Sequence, residues 1–147
     1  MIGITLGDPG GIGIEVTLKS LNDCERDFTL FGNKKAIQYY SRELNLKIPQ
    51  TVKIVNINGN FHTGKISGEN GEIAYRSIIE AIKAAKEGSC GGIVTAPINK
   101  KALHLAGFEY PGHTEIFAEE FSSRNFAMMM VSPDMKIVFL TTHVPLA

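Results

Sequence analysis

Apolar and polar positions along this chain switch between two periods, and the switching lays out an α/β fold. Residues 2–6, 28–31 and 92–95 are short, mostly apolar runs, the pattern of strands in a buried sheet. Residues 52–57 alternate with β-branched side chains and predict a further strand after the break at Pro49. Between these runs the period lengthens. Helices are predicted at about 14–21 and from Asn33, a plausible N-cap, through about Leu44. The clearest is 72–87, where Ile73, Ile78, Ile79, Ile82 and Ala85 form a wide apolar stripe and Gly88 supplies the stop. Shorter helices are predicted at 99–105, ended by Gly107, and at 115–121, capped by Thr114. Residues 58–71 carry Gly59, Gly64, Gly68 and Gly71 with little periodicity and read as a long loop.

Near the end, residues 127–131 and 136–142 read as two strands joined by Ser132-Pro133-Asp134. So short a joint makes them an antiparallel hairpin. The Met128-Met129-Met130 run within it is expected to be a buried strand. The early β-α-β-α order predicts a mixed, mostly parallel sheet with helices on both faces, the hairpin supplying the antiparallel part.

Composition narrows the class. A length of 147 residues with 44% hydrophobic and 20% charged residues suits one domain with a real core. Fifteen basic residues balance fifteen acidic ones, so no charge excess points to nucleic acid or an anionic membrane. No apolar run approaches the roughly 20 residues of a membrane span. Met1 leads into the first strand with no basic leader, and a cytoplasmic protein is expected. Cys24 and Cys90 lack CxxC spacing and are expected to be buried or half-buried thiols in a reducing compartment.

Candidate chemistry gathers at the ends of strands. The 7–13 loop, Gly7-Asp8-Pro9-Gly10-Gly11-Ile12-Gly13, joins the first strand to the first helix. Its backbone N–H groups are placed to hold an anion. The dinucleotide fingerprint fails, because Val16 occupies the third glycine position and no acidic residue closes the second strand. No Walker lysine follows, so a nucleotide-binding reading through this loop has little support. A sharp turn and a ligand contact both remain open for it. In Thr95-Ala96-Pro97-Ile98-Asn99-Lys100, Lys100 stands past a strand end, although spacing alone favours an exposed helix lysine. His113 and Thr114 stand at a helix start, where together they can bind an anionic or hydroxylated substrate. Local chemistry alone favours a loop histidine with Thr114 as a plain cap. His143 ends a strand, a position suited to a metal ligand or a general base, but one histidine is no metal site. His62 lies in the long loop, and His104 is expected on a solvated helix face. Asp8, Glu15 and Glu69 are acidic candidates with no evident pairing.

Taken in order, five segments resemble the 4-hydroxythreonine-4-phosphate dehydrogenase family of vitamin B6 biosynthesis and its relatives that act on four-carbon sugar-acid phosphates. They are residues 4–13, Gly68-Glu69-Asn70-Gly71, residues 94–100, Gly112-His113-Thr114-Glu115 and Thr141-Thr142-His143-Val144-Pro145-Leu146. The resemblance implies a fold similar to isocitrate and isopropylmalate dehydrogenases, two-domain α/β dimers that bind NAD without the usual fingerprint. It implies His113 and Thr114 as contacts to a phosphorylated substrate. It implies His143 as a ligand of a divalent metal cation (Zn, Mg or Co), with further metal histidines downstream. The activity implied is metal-dependent oxidation and decarboxylation of 4-hydroxy-L-threonine 4-phosphate with NAD or NADP in a cytoplasmic homodimer. A sister activity on D-threonate or D-erythronate 4-phosphate is the alternative. Family members are more than twice this length, so residues 1–147 are expected to be an N-terminal portion, inactive alone.

Overall fold

The computed structural model describes residues 1–21, 24 and 27–141. Strands β1 (Ile2–Thr5), β2 (Phe28–Gly32), β3 (Lys53–Asn56) and β4 (Gly92–Thr95) form one sheet in the order β3-β2-β1-β4. Every pairing in it is parallel, with Ile2 beside both Phe28 and Gly92 and Thr29 beside Lys53. Helices α1 (Gly13–Leu21) and α2 (Lys34–Glu43) cover one face, and α3 (Gly68–Lys86) the other.

Side-chain alternation along the strands decides which residue meets which layer. Ile4, Leu30 and Ile54 point to the α1/α2 side and pack with Ile14, Leu18, Leu21 and Ile37. Phe31 and Val55 point the other way, against Ala81, Ala84 and Ala85 of α3. Burial of each large aliphatic side chain contributes about 1.5–3 kcal/mol. Strands buried on both faces have no polar side to show, which is why β1 and β2 read as apolar runs.

The strand order also fixes a direction. From β1 the chain winds outward through β2 to β3, then returns through α3 to β4 on the opposite side of β1. The winding reverses between β1 and β4, and open α/β sheets place their ligand sites beyond the carboxyl ends of strands at such a point.

Asn33 caps α2 as expected, its side chain accepting from the Ala36 N–H at 3.0 Å. Asn99 caps the short helix α4 (Lys100–Leu105) in the same way. Gly88 and Gly107 follow their helices at φ 75° and 86°. The main departure is α3. It starts at Gly68, not at residue 72, because Ser67 is its N-cap and accepts from the Asn70 N–H at 3.2 Å. Gly71 lies where α3 crosses α4, and a Cβ there would overlap the Ala102 carbonyl. The glycine is a packing requirement inside a helix, not the mark of a loop.

The segment before α3 is tied down too. Asn70 is fully buried, and its side chain bonds three backbone groups: it accepts from His62 N–H at 2.9 Å and donates to the carbonyls of His62 at 2.8 Å and Lys65 at 3.0 Å.

Helix α5 (His113–Glu120) begins at His113, so Thr114 lies inside the helix and is not its cap. Gly112 precedes it in extended backbone, and no side chain caps the helix. The antiparallel hairpin forms as expected from β5 (Met129–Val131) and β6 (Lys136–Val138), with Met129 opposite Val138. Among the described residues it stands as its own two-stranded sheet, apart from the parallel one. The methionine run is therefore exposed where burial was expected, with Met130 60% and Val131 65% accessible. Cys90 is buried, but Cys24 is exposed, contrary to its expected burial. No helix among the described residues is long and apolar enough to cross a membrane.

Replacing Asn70 with Ala leaves one N–H and two carbonyls without their partner in a closed site, and should cost about 2–3 kcal/mol. Chemical denaturation of the variant beside the parent chain measures this. A loss below about 0.5 kcal/mol would show that the 62–65 segment does not need the clamp.

Candidate functional site at the carboxyl edge of the sheet

The 7–13 loop leaves β1 at the switch point and is held from two sides. Gly7 has φ +66°, and a Cβ there would overlap the Pro97 carbonyl oxygen. The backbone leaving β1 touches the backbone leaving β4, with Asp8 N–H donating to the Pro97 carbonyl at 3.1 Å and Ala96 N–H to the Thr5 carbonyl at 2.8 Å. At Gly10, a Cβ would collide with the Asn70 side chain and the His62 carbonyl. Gly64 N–H donates to the Gly10 carbonyl at 3.0 Å, and the Tyr40 hydroxyl to the Pro9 carbonyl at 3.1 Å. Of the two readings open for the loop, the turn forced by close packing accounts for Gly7 and Gly10 without a ligand.

Three of the motifs singled out in the sequence thus form one assembly. The 7–13 loop meets the 95–100 segment through Gly7 and Asp8, and Asn70 of the Gly68–Gly71 motif through Gly10. Asn70 was not identified as a clamp from sequence. The signal available was Ser67 three residues before it, which marks a helix start.

Asp8 is 5% exposed, and its carboxylate accepts from the Gly10 N–H at 2.7 Å. Burial pushes its pKa above the usual carboxylate range, and the hydrogen bond from Gly10 opposes the shift. Asp8 is thus a turn-closing side chain at the centre of the assembly. Glu15 pairs with Lys19 one turn along α1. Glu69 faces His62 at 3.1 Å, so the long loop is pinned by this pair as well as by Asn70. Both partners are substantially exposed, and the pair adds little stability. Lys100 is exposed on the first turn of α4, and His104 is exposed as expected.

His113 reaches the same edge by another route. The α3 helix runs toward the start of β4, so its own N-terminus lies at the carboxyl edge. Helix α5 lies alongside α3 in the same direction: Ile116 packs on Ile78 and Ile82, and Lys86 at the end of α3 approaches Glu120 at 3.6 Å. The start of α5 therefore points toward the carboxyl edge. The segment leading into it is held by Tyr75, whose ring stacks on Phe108 at 3.8 Å and lies 5.8 Å from Tyr110. Burial, with hydrogen bonds to Tyr75 and Glu119, pushes the Tyr110 hydroxyl well above its ordinary pKa, so it stays a neutral donor.

The His113 ring is half-buried, and its Nε2 is buried without a hydrogen-bond partner. Loss of solvation lowers its pKa, so the imidazole is neutral at neutral pH. A buried ring nitrogen with no partner is costly unless a ligand completes it. Beside it, Thr114 is exposed, and the uncapped first turn of α5 leaves backbone N–H groups available to an anion. The Thr5 hydroxyl on β1 is likewise buried and unpartnered.

His143 lies outside the described residues. Among the described residues, no group of three or more His, Cys, Asp or Glu side chains is arranged to hold a metal ion.

The family model for pyridoxal phosphate biosynthetic protein PdxA matches residues 14–147. A D-threonate 4-phosphate dehydrogenase from Pectobacterium atrosepticum is 33% identical over 99% of this chain and 52% of its own. A 4-hydroxythreonine-4-phosphate dehydrogenase from Aquifex aeolicus is 37% identical over 99% of this chain and 50% of its own. The solved 4-hydroxythreonine-4-phosphate dehydrogenase from Klebsiella pneumoniae superposes with a TM-score of 0.87 at 29% identity, covering 99% of this chain and 52% of that one. Its fold class is the α/β, isopropylmalate dehydrogenase-like one expected here. The chain spans about half the length of the curated relatives it matches. The chain belongs to the PdxA family of pyridoxal phosphate biosynthetic proteins.

Proposed function

We propose that this chain works as the N-terminal portion of a two-domain, NAD- or NADP-dependent dehydrogenase that oxidises and decarboxylates 4-hydroxy-L-threonine 4-phosphate in a cytoplasmic homodimer. The observation that carries the reading is the unpartnered Nε2 of His113, at a helix start aimed at the carboxyl edge. D-threonate 4-phosphate is the second reading, supported by the Pectobacterium atrosepticum relative of that name. The two substrates share a phosphate and neighbouring oxygen groups, which is the chemistry His113 and Thr114 are suited to hold.

In this reading His113 stays neutral and bonds a substrate hydroxyl or phosphate oxygen through Nε2, its role as donor or acceptor set by its tautomer. The Thr114 hydroxyl and the first-turn N–H groups of α5 receive the phosphate, favoured by the positive end of the helix. The rigid 7–13 loop and Pro97 form the floor beside which the substrate lies. A nicotinamide cofactor supplies the hydride acceptor; no residue of this chain is assigned to it. His143 is proposed as one ligand of a divalent metal, and no step is routed through that metal. The half-exposed Val94 on β4 and Val16 on α1 border an apolar cavity of about 280 Å³. We assign this uncovered flank of the sheet to contact with the remainder of the two-domain fold.

Residues 1–147 alone, given 4-hydroxythreonine 4-phosphate, a divalent metal and NAD, should yield no NADH by absorbance. The chain extended to the relatives' length should turn over. Turnover by residues 1–147 alone would contradict the division of labour, and turnover of the extended protein only with threonate or erythronate phosphates would select the sister activity.

In the extended protein, His113→Asn should raise KM by about tenfold or more, the loss of roughly one charge-assisted hydrogen bond. Unchanged KM in steady-state kinetics would remove His113 from the substrate site.

Acid should also act through His113. Its folded pKa is lowered, so the unfolded chain binds its proton more readily. The stability from a neutral His113 is complete above the ordinary histidine value of about 6.5 and falls as pH drops below it toward the folded pKa. Thermal melts between pH 7 and 5 should fall less steeply for His113→Gln than for the parent; identical slopes would contradict the burial argument.

A further inference from the structure

A second cavity lies at the same edge of the sheet, beyond β2 and β3. It measures about 420 Å³ and is lined by Asn33, Lys34, Lys35, Gln38 and the 56–60 segment, with no acidic residue among its walls. Its frame is prebuilt. Asn33 is 3% exposed, and its amide donates to the carbonyls of Ile57 at 2.9 Å and Gly59 at 3.0 Å, stapling the segment after β3 to the start of α2. Asn56 accepts from the Lys34 N–H at 2.8 Å and donates to the Asn58 side-chain oxygen at 2.7 Å.

The frame engages the side-chain oxygens of Asn33, Asn56 and Asn58 and leaves the cationic donors of the walls over. Among the described residues the ammonium groups of Lys34 and Lys35 have no ion-pair partner. The side-chain amides of Gln38 and Asn60 are likewise unengaged, as is the Asn58 NH2 group. Two adjacent cations are left uncompensated beside amide donors on a fixed backbone. Two unpaired cations with no acidic residue among the walls favour an anion, and a phosphate dianion with three acceptor oxygens can engage both.

We propose that this cavity binds the phosphomonoester group of a polar small molecule, at a subsite separate from His113 and Thr114. It stands independently of the dehydrogenase reading, since it uses different residues at different strand ends. The phosphate can come from a nucleotide or from a sugar phosphate. A backbone and side-chain amide NMR titration of residues 1–147 tests the site with inorganic phosphate, adenosine 2′-monophosphate and ribose 5-phosphate.

Saturable shifts are expected at the backbone amides of Lys34 and Lys35 and at the side-chain amides of Asn58 and Asn60. Affinity should fall with added salt, and by about tenfold or more in the K34Q/K35Q variant. A stronger response to one organic phosphate supports the site and names the source, and equal responses support a site that reads the phosphate alone. No saturable binding by any of the three, binding unchanged in K34Q/K35Q, or shifts centred on His113 would overturn it.

Discussion

The close approach of two backbones, one leaving β1 and one leaving β4, governs this molecule. At Gly7 the chain turns with φ +66° directly against the Pro97 carbonyl, and Asp8 N–H bonds that same carbonyl. No side chain fits between them. The contact closes the switch point of the sheet, and the 7–13 loop then extends far enough for Gly10 to press on Asn70 and the His62 carbonyl. Helix α3, the 62–65 segment and the first β-α turn are held in one arrangement by backbone contacts and the uncharged Asn70 amide, which depend little on pH or salt.

On that rigid edge the polar inventory is uneven, and the unevenness is informative. Asp8 is buried, yet its carboxylate is bonded within its own turn, so its environment explains it without a ligand. His113 has no such internal explanation. Its ring is desolvated enough to be neutral, is anchored by a stacked aromatic segment, and keeps one nitrogen without a partner. A fold that satisfies the buried Asn33 and Asn70 side chains with three bonds each but leaves His113 open reserves that atom for something else. The proposed function gives this open atom a chemical sense, a substrate with phosphate and hydroxyl groups.

Much of the fold was legible because its elements carry local signals. Asn33 and Asn99 announce helix starts, Gly88 and Gly107 announce stops, and apolar runs mark strands buried on both faces. What was not legible depends on partners distant in sequence. Gly68 and Gly71 read as loop because the reason for Gly71, the Ala102 carbonyl, lies on another helix. The methionine run read as buried because apolarity predicts burial, while the hairpin pairs only with itself among the described residues. For the site, local spacing favoured the bland reading of His113, and the family motifs singled it out. Its unpartnered Nε2 is a three-dimensional fact that spacing cannot express. His143, named by the motif, lies outside the described residues.

The central claim is that the neutral His113 ring at the start of α5 completes its hydrogen bonding with the phosphorylated substrate. An imidazole-nitrogen NMR titration with 4-hydroxythreonine 4-phosphate measures this directly. The account predicts a saturable shift of the His113 ring nitrogens, with His62 and His104 unmoved. A shift at His62 in place of His113, or saturation with no change at His113, would contradict it.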